Sequence, residues 1–165
     1  MELRSRLSTG VLPRKKRGHF GVPTKPGKGT KIMTIADTSG LLVAIDIQSA
    51  SLHEVKLVES TIKNRFGGKP PDRIIGDKAY DSEPLDESFR KQYGTELIAP
   101  HKTNRKMPET QDSRVLRQYR RRWKVERLFS WLHNFRRPVT RWEFQADNFF
   151  GMLQMGCIVI LLRYF

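Results

Sequence analysis

Residues 74–82 read IIGDKAYDS, and the role given to the aspartate in this run decides the fold. The apolar pair Ile74-Ile75 passes through Gly76 to a carboxylate, Asp77, and then breaks into small and polar residues. Pro70-Pro71 bounds the run upstream, so DRIIGD reads as a short buried strand. In an open α/β sheet, ligands gather beyond the carboxyl ends of parallel strands, which makes an acid there a candidate ligand for a metal or substrate. The same pattern suits an ordinary turn or N-cap, because an Asp side chain accepts hydrogen bonds from nearby backbone N–H groups. The local pattern leaves the two readings even.

Working outward, SEPLDESFRKQYG (82–94) predicts a helix, with Ser82 as N-cap, Pro84 in the first turn and Gly94 as the stop. TELIAP (95–100) predicts another strand. Upstream, KIMTIAD (31–37) and LLVAIDI (41–47) are β-prone runs joined by Thr38, Ser39 and Gly40, a hairpin pattern. Leu52, Val55, Leu57, Val58, Ile62 and Phe66 fall near helical spacing in residues 51–66, with Gly67-Gly68 as the expected end. Beyond the strands come a basic loop (101–108), a long helix without Gly or Pro (113–135) and a final helix (145–163). The order implies an α/β sandwich with some parallel pairing. Residues 1–30, rich in Gly, Pro, Lys and Arg without periodicity, read as an irregular basic arm with a remnant of a first strand, and residues 31–165 as a partial folded domain.

The chain has 165 residues, enough for one compact domain. Lys and Arg total 31 against 17 Asp and Glu, a formal charge of +14 that attracts polyanions. The basic residues concentrate in 12–31, 100–108 and 114–129. Cys157 is the lone cysteine, which excludes a disulfide framework or Cys-based zinc site and points to the cytoplasm. The N-terminus is polar and basic with no apolar h-region, so no signal peptide is expected. The apolar C-terminal run (149–165) includes Gln154 and Arg163 and falls short of the roughly 20 residues of a spanning helix, so a buried terminal helix is expected.

A second acid stands out in YRRRWKVERLFSWL (119–132). Trp123, Leu128, Trp131 and Leu132 supply an apolar face, while Glu126 is the only acid among Arg120, Arg121, Arg122, Lys124 and Arg127. Taken alone, it reads as an intrahelical partner of Arg122. The two acids together with the hairpin block GKGTKIMTIADTSGLLVAIDIQSASLHE and the Tyr119-x2-Arg122-x3-Glu126 spacing resemble the DDE-class transposases of bacterial insertion sequences. The likeness covers about residues 13 to 164. Family members usually carry a basic residue, often Lys, seven positions after the Glu; here that position is His133.

The resemblance implies a ribonuclease-H-like mixed sheet flanked by helices, in which three carboxylates hold two Mg2+ (or Mn2+) ions. Hard cations take oxygen ligands, which is why such a site is built from acids. Asp77 and Glu126 would be two of the catalytic, metal-holding acids, with Tyr119 and Asp81 accessory. The family's first Asp lies on the first strand; aligning on Pro13, Lys15 and Lys16 puts Ser8 in its place, and a serine does not replace an anionic ligand. Codons that permit residues 7–16 (CTG TCG ACG GGA GTT TTG CCC CGG AAA AAA) read Val-Asp-Gly-Ser-Phe-Ala-Pro-Glu-Lys from the last base of the first codon, which is the family's pattern. The chain is therefore expected to be a downstream reading frame, joined to an upstream one either by ribosomal slippage on the Lys15-Lys16 codons or, in an ancestor, before a disabling frameshift, with its central first strand absent or degraded and with little or no activity alone.

Basic residues suit a DNA path: Lys102, Arg105 and Lys106 in the loop, and Arg120, Arg121, Arg122, His133, Arg136 and Arg137 around the acid-bearing helix. The expected partners are double-stranded DNA, at terminal inverted repeats and target, an upstream-frame polypeptide, and further copies of the chain when active; no membrane partner is expected, and the location would be the bacterial cytoplasm near the nucleoid. Trp123, Phe129, Trp131, Phe135 and Trp142 are read as core packing. Asp37 reads as a turn residue, His53-Glu54 as an accessory pair, and the histidines have no zinc-like spacing. The alternative functions are a non-catalytic DNA-binding fragment and an unrelated basic nucleic-acid-binding protein.

Overall fold

A computed structural model describes residues 4–13, 29–101, 123–139 and 141–164. Its centre is a five-stranded sheet of β1 (Arg4–Pro13), β2 (Gly29–Asp37), β3 (Leu42–Ser49), β4 (Arg73–Ile75) and β5 (Glu96–Ile98). The helices are α1 (Glu54–Lys63), α2 (Glu83–Tyr93), α3 (Trp123–Leu132), the short α4 (Arg136–Val139) and α5 (Ala146–Leu162), with one 3-10 turn at Lys78–Tyr80. The strand order is β3-β2-β1-β4-β5. β1 pairs antiparallel with β2 and parallel with β4, and β5 is parallel to β4.

The expectation of an absent first strand is corrected here. Arg4–Pro13 fills the centre of the sheet, bonded to β2 from Ser5↔Asp37 to Pro13↔Gly29 and to β4 from Arg4↔Arg73 to Arg6↔Ile75. The arm expected to hold only a remnant of this strand thus contains ten residues of it. Neighbouring strands on both sides supply what local sequence does not, since strand formation depends on cross-strand partners more than on intrinsic preference.

The hairpin forms as its turn residues predict. Asp37 Oδ1 accepts the N–H groups of Ser39 and Leu41, both at 2.8 Å, and Gly40 takes φ +88°, where a side chain would be strained. Gly40 also lets α3 come close: a Cβ there would stand 3.2 Å from the Lys124 carbonyl. α2 follows its signals, with Ser82 at the N-cap position, Pro84 in the first turn and Gly94 left-handed at the C-cap. α1 stops sooner than the Gly67-Gly68 signal suggests, with Asn64 as C-cap, because Arg65 leaves the helix to bridge Ala44 in β3. Phe66 then lies exposed.

Each face of the sheet has its own core. Met33, Ile35, Ala44 and Ile74 pack with Leu57, Val58 and Ile62 of α1, Phe89 of α2 and the ring of Tyr80. On the opposite face, Ile32, Ala36, Leu42 and Ile45 meet Val125, Leu128 and Leu132 of α3 and Phe149, Leu153, Cys157 and Ile160 of α5. The alternation along β2 is the period-two pattern of a strand covered on both sides. The terminal helix is therefore buried along one side, as expected, and among the described residues no helix is long and apolar enough to cross a membrane.

One buried acid secures the first layer. Asp46 in β3 accepts hydrogen bonds from the Ser60 hydroxyl at 2.6 Å, Asn64 Nδ2 at 3.0 Å, its neighbour's Ile47 N–H at 2.9 Å and Gln48 Nε2 at 3.3 Å. These partners hold the C-terminal half of α1 to the sheet, so Asp46 is a structural residue.

Candidate functional site

Asp77 stands at the carboxyl end of β4, where the parallel strands end. Its φ of −88° and ψ of −177° continue the extended backbone before the chain turns. Alternation fixes its face. Ile74 belongs to the α1/α2 core, and a Cβ on Gly76 would strike the Tyr80 ring at 2.7 Å, so residues 74 and 76 look toward that core. Residues 75 and 77 consequently look toward the side of α3 and α5. Both local readings of Asp77 hold at once: Oδ1 caps the 3-10 turn by accepting Ala79 N–H at 2.7 Å, while Oδ2 has no hydrogen-bond partner among the described residues and the side chain is exposed.

The parallel pairing of β1 with β4 matches Arg6 to Ile75. The ladder ends there, two residues before Asp77. In β2, Thr34 pairs with Ser8, and the Thr34 hydroxyl is buried without a hydrogen-bond partner among the described residues. Thr34 sits between Ile32 and Ala36, both in the α3/α5 core. Thr34 and Asp77 thus look toward the side of the sheet covered by the helix that carries Glu126.

Glu126 lies in the first turn of α3, exposed beside the buried Val125. At 100° per residue it occupies the flank turned away from Lys124 and Arg127. Those two cations tie the start of the helix to the β2–β3 turn: Lys124 Nζ donates to the Thr38 carbonyl and Arg127 Nη2 to the Ser39 carbonyl at 3.1 Å. Arg127 is also stacked between the Trp123 and Trp131 rings, 4.9 Å from each centroid, a geometry that holds a guanidinium in place. Glu126, Ser130 and His133 share the opposite flank and are all exposed.

Asp81 caps the far end of the 3-10 turn and meets His101 Nδ1 at 3.2 Å, with both side chains about nine-tenths buried. This pair joins the turn after Asp77 to the segment after β5. Arg136 and Arg137 are exposed at the start of α4. Tyr119, Lys102, Arg105, Lys106, Arg120, Arg121 and Arg122 lie outside the described residues. His53 caps α1, its Nδ1 accepting Val55 N–H at 3.4 Å. Phe129, Trp131 and Phe135 pack on the α3/α5 core as expected, but Trp123 and Trp142 are corrected: they are 49% and 58% exposed.

Among the described residues no group of three or more His, Cys, Asp or Glu side chains could hold a metal ion.

The transposase DDE domain family matches residues 12–162 of this chain, and the chain belongs to that family. It is also similar to the "Putative transposase for insertion sequence element IS402" of Burkholderia cepacia, 30% identical over 140 residues. That alignment covers 80% of this chain and 62% of the relative, so the chain spans about three-fifths of the length of the curated relative it matches. The family match begins at Leu12, leaving Ser8 and most of β1 outside it.

Proposed function

We propose that the chain is the catalytic-domain portion of a DNA transposition machine, with Asp77 and Glu126 as two acids of a three-acid phosphodiester-cleaving site and the third missing. The observation that supports this reading is Asp77 at the end of β4, the parallel neighbour of the central β1, on the side of the sheet covered by the helix of Glu126; extending the β1–β4 register by two residues would set the backbone of Ser8 beside it. A ribonuclease-H-like sheet has its first strand between the second and the fourth, and the order β3-β2-β1-β4-β5 supports that assignment. The start of the family match at Leu12 supports a first strand of foreign sequence.

In this reading, Mg2+ or Mn2+ is held only when another carboxylate joins Asp77 and Glu126, and the chain alone is inactive. Its partners are the DNA of element ends and target, an upstream-frame polypeptide supplying the first acid, and further copies of itself. His133, Arg136 and Arg137 border the acid-bearing flank and would neutralise phosphates, alongside Lys102, Arg105, Lys106, Arg120, Arg121 and Arg122.

The test is to supply the acid. Ser8→Asp is expected to bind Mn2+, read by loss of the free-ion paramagnetic resonance signal, and to nick DNA carrying the element's terminal repeats; Ser8→Asp with Asp77→Asn is expected to do neither. If a folded Ser8→Asp protein binds no more Mn2+ than the parent, the three-acid site is wrong.

A further inference from the structure

Met155, Ile158, Val159 and Leu162 stand in water at 61%, 50%, 41% and 66% exposure along one side of α5. Their spacing is that of a single helix face. At 100° per residue they share an arc of about 120° with Asp147 and Gly151, while Phe149, Leu153, Gly156, Cys157 and Ile160 fill the opposite side and are buried. A helix that is apolar all round is one that is covered all round. The sheet covers one side of α5, and the other side is a surface for something else.

Charge decides what fits there. The chain carries 31 Lys and Arg, yet residues 148–162 are its longest run without Asp, Glu, Lys or Arg. A DNA path needs cations, and this face has none between its ends. A helix lying on a membrane turns a basic face to water opposite its apolar one, and the opposite face of α5 is core. The charges sit at the two ends: Asp147 in the first turn, and Arg163 at the C-cap on the margin of the face, both exposed. Met155 lies midway between them in sequence. Laid antiparallel on a copy of itself about Met155, the helix sets each Asp147 beside the partner's Arg163. The same rotation brings each Val159 over the partner's Gly151, where the position of a Cβ meets nothing within 4 Å. A face that complements itself in this way is what a two-fold pair requires.

We infer that the outer side of α5 is a pairing surface and that its occupant is a second copy of this chain, packed antiparallel across Met155. This rests on the transposition reading, in which copies of the chain act together, and gives that partnership its surface. One helix pair covers less than the roughly 1,600 Å2 of a standard interface, so the dimer is weak, with a micromolar dissociation constant. Each copy also carries a charge of +14, which opposes pairing. Added salt screens that repulsion and tightens the dimer, the reverse of its effect on DNA binding.

Sedimentation velocity of the full chain, in EDTA and without DNA, at about 1 to 200 µM protein reads the association. The parent is expected to pass from monomer to dimer over this range, at lower concentration in high salt. Met155→Asp and Ile158→Asp are each expected to raise the dissociation constant at least about tenfold. Gly151→Leu is expected to weaken pairing by filling the notch while leaving the melting temperature unchanged or raised, because Leu is the better helix former. Asp147→Arg and Arg163→Asp are each expected to weaken pairing, and the double variant to restore it, which fixes the antiparallel register. Circular dichroism melting checks that each variant folds. The inference is overturned if folded Asp variants at 155 and 158 pair like the parent, or if the double charge exchange pairs no better than the single ones. A parent that stays monomeric throughout also overturns it, and co-sedimentation of that monomer with phosphatidylserine vesicles would make the face a membrane contact. Neither DNA nor divalent metal is present, so failure here leaves the cleavage reading standing.

Discussion

The Ser60 hydroxyl lies 2.6 Å from Asp46 Oδ2, joining the last turns of α1 to the third strand beneath it. Three further donors complete the carboxylate, and it is 4% exposed. Replacing Asp46 with Ala strands those donors in a low-dielectric site and is expected to lower unfolding free energy by about 3 kcal/mol. Asp46→Asn, which keeps two acceptor lone pairs, should cost less. Urea denaturation followed by circular dichroism measures both, and equal stabilities for parent and Ala variant would show that the contact is incidental.

Gly76 links the fold to the candidate site. A methyl group there meets Tyr80 Cδ2 at 2.7 Å, and Tyr80 is fully buried. Gly76→Ala is expected to cost about 1–3 kcal/mol through overpacking and to displace the turn that Asp77 caps. A thermal melt reads the first effect. Faster amide exchange at Ala79, whose N–H bonds Asp77, reads the second.

Arg141 spans 111 positions of sequence to reach Thr30. Arg141→Ala is expected to lower stability by about 2 kcal/mol, from lost hydrogen bonds and lost stacking on Phe149. Arg141→Lys should recover less than half, because an ammonium does not reproduce a planar fork that serves several acceptors. Chemical denaturation of the two variants side by side gives the comparison.

Burial pushes the Cys157 thiol up to about 12 from its ordinary 9.0. The folded chain therefore keeps this proton where the unfolded chain releases it, so stability falls as pH rises from about 9 to 12, by about 1.4 kcal/mol per unit at most. Cys157→Ser removes this dependence. Comparing urea midpoints of parent and variant at pH 8 and pH 10 isolates it, and native Cys157 should react with a thiol reagent only as fast as the chain opens.

Elements with punctuation at both ends were legible: α2 declared itself through Pro84 and Gly94, and the hairpin through Asp37 and Gly40. The strand β1 was not. Gly10 and Pro13 argue against a strand locally, and its partners are remote, extending to residues 73–75. α1 was drawn too long because Arg65 finds a bridge to Ala44 that no local signal announces. The candidate acids Asp77 and Glu126 were legible as residue types, but the face to which Asp77 turns follows from sheet alternation, seen in the contact of Gly76 with Tyr80. Trp123 and Trp142 misled in the other direction, since aromatic composition is the same whether a ring fills a core or faces water.

Amide-to-carbonyl pairing on both flanks makes the middle strand nearly indifferent to which side chains it carries. That indifference is why Gly10 and Pro13, poor strand residues by themselves, are carried at the centre of the sheet: main-chain pairing to Gly29–Asp37 on one side and Arg73–Ile75 on the other holds the shape without asking anything of local preference.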